Sequence, residues 1–224
     1  MQNSPFKMLA TDYDRTIANE YTRKVPENVH KALLKVKEAG FLIVIVTARG
    51  VDDLLRLYSE IKEFDLIVAE NGTVLYFPSQ DKRYYLASKH PIEFIVQLMH
   101  HGIPFRQYEI LTRVHIDYVE KVNNLIKEFQ FTLHIISHNK AGYILPTGMN
   151  KAKGLEKALL HFNITSNQVI AVGDGENDLD FFDFCGFKVA VGNAEDTVKA
   201  KADWIATKEE GEGMVEFIQQ YLLV

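Results

Sequence analysis

One cysteine, Cys185, is all the sequence offers, so no internal disulfide can form and the chain fits a reducing compartment. Its setting, Phe184-Cys185-Gly186-Phe187, reads as a small packed residue rather than a nucleophile. Long apolar runs are missing too. The longest, Phe41 to Val46, is far too short to cross a bilayer, which argues against a membrane partner. The N-terminus lacks a signal-peptide pattern, and the expectation is a cytoplasmic protein. Basic residues are in deficit, with 25 Lys and Arg against 30 Asp and Glu for a net charge of −5, which argues against a nucleic-acid partner. Apolar residues, by contrast, make up 47% of the chain, ample for a sizeable core. At 224 residues the chain is long for one simple domain and short for two, so a main domain with a smaller insert is expected.

Strands and helices alternate at both ends of the chain. The apolar stretch Phe6 to Thr11 reads as a buried strand. Pro26 opens a helix with Val29, Leu33 and Val36 on one face, and Gly40 closes it. Phe41 to Val46 is the continuous β-branched run of a parallel strand buried on both faces. A helix with Leu54, Leu55 and Tyr58 and a strand Leu66-Ile67-Val68 complete a βαβαβ unit. The alternation resumes with a helix from Lys151, a strand Val169 to Val172, a strand Phe187 to Val191 and an edge strand near Trp204. Between these lie a hairpin around Pro78 to Lys82, a helix from Pro91, one long strand Phe105 to Ile116, a helix from Asp117 and strands at Thr132 to Ser137 and Gly142 to Leu145. The expected fold class is α/β: a doubly wound parallel core over 1–77 and 147–224, with a small inserted α/β cap over 78–146.

Four loops that follow core strands carry polar groups of a useful kind. They hold Asp12, Asp14 and Thr16; Thr47; Lys151; and Gly173-Asp174-Gly175-Glu176-Asn177-Asp178. Open α/β sheets bind ligands at this edge, and two carboxylates two residues apart repel unless a cation joins them. Acidic loop residues, a hydroxyl and a lysine together suit phosphoryl transfer. The carboxylates hold a hard divalent cation, cation and lysine neutralise the transferring group, and one carboxylate can act as nucleophile. Other motifs fail on detail. An EF-hand loop would need Gly at Ile17 and Glu at Arg23, Lys151 lacks the preceding glycines of a P-loop, and Gly173-Asp174-Gly175 lacks the third glycine of a dinucleotide fingerprint.

Taken in order, Asp12/Asp14/Thr16, Thr47, Lys151 and Gly173-Asp174 with Asn177-Asp178 resemble the motifs of the haloacid dehalogenase-like superfamily. Within it, the pattern resembles the Cof-type phosphatases of subclass IIB, whose α/β cap lies between the second and third motifs. Glu70-Asn71-Gly72 looks like the Asn-Gly turn that precedes that cap. The resemblance covers nearly the whole chain. It implies a Rossmann-like core and a Mg²⁺-dependent phosphatase for a small phosphorylated metabolite, a phosphosugar or a phosphoglycolate-like acid. It also implies that Asp12 becomes an aspartyl-phosphate and that Asp14 is the general acid and base. Mg²⁺ would be held by the Asp12 side chain, the Asp14 backbone carbonyl, Asp174 and Asp178, while Thr47 and Lys151 bind the phosphoryl oxygens. Two departures stand out: Arg15 replaces a frequent glycine, and Lys153 competes with Lys151 for the lysine role.

Substrate choice would lie in the cap. Strand alternation puts Leu111, Arg113 and His115 on one face and Thr132, His134, Ile136 and His138 on another. Arg113, His115 and His138 are thus candidates to meet an anionic group, with Arg49 at the rim. A monomer or homodimer is expected. The alternatives are a phosphotransferase or mutase, and a non-catalytic phosphate-binding module in which Asp12 is only a phospho-acceptor.

Overall fold

A computed structural model describes residues 5–223. The chain begins β1 (Met8–Thr11), α1 (Glu27–Glu38), β2 (Leu42–Val46), α2 (Val51–Leu57), β3 (Leu66–Ala69), β4 (Val74–Phe77) and β5 (Lys82–Tyr85). The middle segment holds α3 (Ile92–His100), β6 (Phe105–Gln107), β7 (Thr112–His115), α4 (Val119–Glu128), β8 (Leu133–His138) and β9 (Ala141–Pro146). The last segment holds α5 (Lys151–Phe162), β10 (Val169–Gly173), α6 (Leu179–Phe184), β11 (Phe187–Ala190), α7 (Asp196–Lys199), β12 (Trp204–Ile205) and α8 (Glu210–Phe217).

These form an 8-stranded sheet ordered β12-β11-β10-β1-β2-β3-β4-β5 and a 4-stranded sheet ordered β6-β7-β9-β8. The large sheet is parallel from β12 to β3 and antiparallel at β4 and β5. Its central strands are fully buried, as their unbroken apolar runs require. Chain order reverses at β1, which lies between β10 and β2. That switch point brings the loops after β1 and β10 side by side, which is where a doubly wound sheet makes its ligand site.

The small sheet is covered on one face by α3 and α4, whose Phe94, Leu98, Val122, Leu125 and Ile126 pack on Val114, Leu133 and Ile144. Alternation turns Arg113 and its cross-strand partner Tyr143 to the other face.

Two expectations need correction. The boundary at 78 falls inside the β4–β5 hairpin, and β5 pairs with β4 in the large sheet. The crossing to the small sheet therefore comes after Tyr85, because a hairpin extends whichever sheet its first strand already belongs to. The long strand from Phe105 to Ile116 is instead two antiparallel strands, β6 and β7, joined by a turn at 108–111. No glycine marks that turn in the sequence.

Candidate active site

Four elements deliver the polar groups to one place. Asp12 follows β1 directly, and its N–H donates to the Val172 carbonyl across the switch point at 2.9 Å. Lys151 is the first residue of α5, a start fixed by Asn150, whose side chain accepts the Lys153 N–H. That start aims Lys151 inward, and its Nζ donates to Asp12 Oδ1 and Asp178 Oδ1, both at 2.5 Å. Lys153 instead pairs with Glu156 and is half-exposed. Asp178 is spent on structure as well, because its Oδ2 accepts the N–H groups of Asp174 and Gly175. Gly173 has no side chain for that reason: a Cβ there would lie 2.5 Å from Asp178 Oδ2.

Asp12, Asp174 and Asp178 bring ligand oxygens within 4.8 Å of one another, all buried. Three carboxylates face one ammonium. Burial raises the Asp12 pKa well above the ordinary value; Lys151 pulls it back, and Asp178 and Asp174 push it further up. Asp174 is pushed up to about 7 by burial and then by Asp178. Burial alone would lower the Lys151 pKa, but Asp12 and Asp178 outweigh it and carry it above the ordinary lysine value. Thr16 donates to Asp174 Oδ1 at 3.0 Å, while Asp174 Oδ2 is buried with no hydrogen-bond partner. Hard oxygen donors, more carboxylates than nearby cations and a buried carboxylate oxygen without a hydrogen bond fit a divalent cation.

Above this cluster lies a cleft of about 560 Å³ between the two sheets, and it is rich in arginine. Asp14 belongs to the arginine side. Arg49 grips its two oxygens through Nε at 2.7 Å and Nη2 at 2.5 Å, and the Asp14 side chain lies outside the group of three carboxylates. Thr47 is buried, and its Oγ1 accepts the Arg49 N–H at 3.2 Å. Arg15 takes φ +59°, a left-handed conformation that accounts for the frequent glycine at this position. Its Nε is 3.6 Å from Asp174 Oδ2.

From the cap, Arg113, His138 and Tyr143 line the same cleft. Burial raises the Tyr143 pKa above the ordinary tyrosine value, and the nearby Arg113 guanidinium opposes that rise. Burial and then the Lys151 ammonium hold the His138 pKa below the ordinary histidine value. His115 is not among the lining residues. It ends β7, and its Nδ1 accepts the Asp117 N–H at the start of the next turn, which removes it from the substrate-facing set expected of it. Cys185 is buried, with its thiol pushed up to about 12 by that burial.

The sequence profile of the haloacid dehalogenase-like hydrolases matches residues 9–109 and 105–218. The chain belongs to that family. Among its relatives, a phosphoglycolate phosphatase of Methanothermobacter thermautotrophicus is 29% identical over 226 residues, covering 96% of this chain and 99% of the relative. A haloacid dehalogenase-like hydrolase from Bacteroides thetaiotaomicron superposes with a TM-score of 0.84 at 21% identity, covering 96% of this chain and 99% of that one. A subclass IIB sugar phosphatase superposes with a TM-score of 0.78 at 20% identity, covering 97% and 100%. The hydrolase is accordingly a phosphatase of the haloacid dehalogenase-like kind.

Two features of this hydrolase escaped the sequence. One is the Arg49–Asp14 pair, whose partners are 35 residues apart. The other is Glu70, fully buried beside the cap. Its signal was a glutamate directly after a strand and before Asn71-Gly72, where a solvated residue is the ordinary reading.

The carboxylate cluster has a measurable cost in the cation-free hydrolase. Asp174 ionises near 3.8 when unfolded and near 7 when folded. Between those values the folded state holds the extra proton, so stability falls as pH rises through the window. Asp174→Asn removes this slope while keeping the oxygen that accepts from Thr16. It is expected to stabilise the fold at pH 8 in EDTA by about 1–2 kcal/mol, with no gain at pH 4. Thermal unfolding at the two pH values checks this, and equal gains at both would contradict it.

Proposed function

We propose that the hydrolase removes phosphate, with Mg²⁺, from a small metabolite that carries a second anionic group, a phosphosugar acid or a phosphoglycolate-like compound. The observation that supports this most strongly is the Lys151 ammonium shared by Asp12 and Asp178 at the base of an arginine-rich cleft. Mg²⁺ held by Asp12, Asp174 and Asp178, with the Asp14 carbonyl, would neutralise charge on the phosphoryl group.

Asp12 attacks phosphorus with one carboxylate oxygen, the P–O bond to the leaving group breaks, and an aspartyl-phosphate forms. Lys151 holds Asp12 in place and meets the phosphoryl oxygens. An anionic substrate competes with Asp14 for Arg49; the released Asp14 carboxylate takes up a proton from solvent and passes it to the leaving oxygen. Asp14 then takes a proton from the water that hydrolyses the acyl-phosphate. The second anion has counter-ions waiting. Among the described residues, Arg23, Arg113 and Lys140 line the cleft without a carboxylate partner, and a cleft of this volume suits a small ligand.

A panel of phosphorylated acids and sugars, scored by phosphate release with Mg²⁺ and with EDTA, tests the reading. Release from acid-bearing esters that EDTA abolishes is expected. Transfer to an added sugar without release would instead favour a phosphotransferase, and a long-lived phospho-aspartate without turnover a binding module.

A further inference from the structure

The cap touches the core at a place that neither of its two covalent links reaches. Those links run from Tyr85 to Ile92 and from Pro146 to Lys151. One such contact is the 108–111 turn between β6 and β7. There, Glu70 Oε1 accepts the Glu109 N–H at 3.1 Å, and Glu70 Oε2 accepts those of Ile110 and Leu111, both at 2.9 Å. Glu70 is fully buried. Burial pushes its carboxyl above the ordinary value, and the three N–H groups oppose that rise. The Ile110 side chain, although part of the cap hairpin, is buried in the hydrophobic core of the large sheet. Tyr108 sits so close over Gly50 that a Cβ on Gly50 would lie 2.7 Å from its ring. Arg83 closes the outer side by donating to both Glu109 and Asp52.

The same glutamate reaches the catalytic loops through its backbone. The Glu70 N–H donates to the Arg49 carbonyl at 3.0 Å, and the Asn71 N–H to the Thr47 carbonyl at 2.9 Å. Glu70 and Asn71 both take φ +51°, a left-handed pair whose cost of order 1–3 kcal/mol per residue persists only where the surroundings enforce it. One short turn thus grips the Thr47–Arg49 loop with its amides and the cap hairpin with its carboxylate.

We propose that Glu70 is a positioning residue for specificity. With Ile110 it locks the β6–β7 hairpin to the catalytic loops and fixes Arg113, on β7, relative to Asp12. This rests on the proposed reading that Arg113 meets the second anion of the substrate. A substrate lacking that anion should be indifferent to the lock, since its only charged group is handled by the core.

Glu70→Gln keeps the size of the side chain but replaces one acceptor with a donor that faces N–H groups. Hydrogen exchange at the amides of residues 109–111 is expected to speed up by at least about tenfold, with no change at Leu9 and Ala10 in β1. With 2-phosphoglycolate, KM should rise about five- to tenfold with kcat within about twofold, while p-nitrophenyl phosphate keeps both constants within about twofold. Ile110→Ala, which leaves the carboxylate intact, should give the same exchange signature if Glu70→Gln does not fold. Unchanged exchange at 109–111 would overturn the lock. Faster exchange with KM unmoved, or with kcat lost equally on both substrates, would overturn its role in specificity. If the wild-type protein hydrolyses neither ester, the proposed function fails, and the exchange comparison alone decides the lock.

Discussion

Asp12→Asn is expected to leave a folded protein whose phosphate release with Mg²⁺ is lowered by at least about 10³-fold. The amide has the volume of the carboxylate and still offers Lys151 an acceptor, so the packing around a side chain that is 6% exposed survives. What it lacks is an oxygen that can bond to phosphorus and leave again. Removing one negative charge from a cluster short of positive charge also costs the fold nothing, and a slightly higher Tm without cations should accompany the loss of turnover. Acid quenching during turnover should trap phosphate on the wild-type chain and none on the variant. Turnover near the wild-type rate would end the assignment of Asp12 as nucleophile.

Lys151→Met should damage stability as much as activity. Lys151 is 1% exposed, and Asp12 and Asp178 share its ammonium. Deleting one partner of a buried ion pair strands the others, at about 3–5 kcal/mol. The sign of the pH effect follows from Asp12, whose folded pKa is raised. A carboxyl with a raised folded pKa loses stability as pH rises, so the variant should recover as pH falls below neutral and Asp12 takes up a proton. Saturating Mg²⁺ should restore part of the loss at pH 8 by replacing the missing charge. Urea unfolding at pH 5 and pH 8, with and without Mg²⁺, reads all three effects, and a deficit independent of both would contradict the account. Lys153→Met is the control. Its pair with Glu156 is solvent-exposed, and such pairs contribute about 0–1 kcal/mol.

The loops that carry the candidate site were legible because their chemistry coincides with a strong local signal. Asp12, Thr47 and Asp174 each directly follow an apolar run that can only be a buried parallel strand, and the topology of such sheets dictates where those ends meet. Lys153 competed with Lys151 in the sequence, and the structure separates them: the Asn150 cap starts α5 at Lys151, which turns inward, while Lys153 pairs with Glu156. The cap was read less well. Alternation put Arg113 on the face that lines the cleft, but it could not show that β7 ends at His115 and turns that ring into a backbone acceptor. Nor could it show the turn at 108–111, which lacks the Gly or Asn-Gly that marks a tight hairpin. Glu70 was invisible for a different reason. Its partners are backbone amides about 40 residues away, and amides leave no trace in a sequence.

The position of β1 also bears on how the chain is made. β1 pairs on one side with β2, which follows it closely, and on the other with Val169 to Val172. During synthesis the first edge can be satisfied early, but the second has no partner until about three-quarters of the chain has emerged. Through that interval the strand that precedes Asp12 presents an unpaired, largely apolar edge, the kind that recruits strands from other chains. Long-range parallel pairing is also slow to form. The nascent protein is therefore most prone to aggregate while it already holds the β1–β5 half of its sheet, and the pairing that creates the site waits until β10 has emerged.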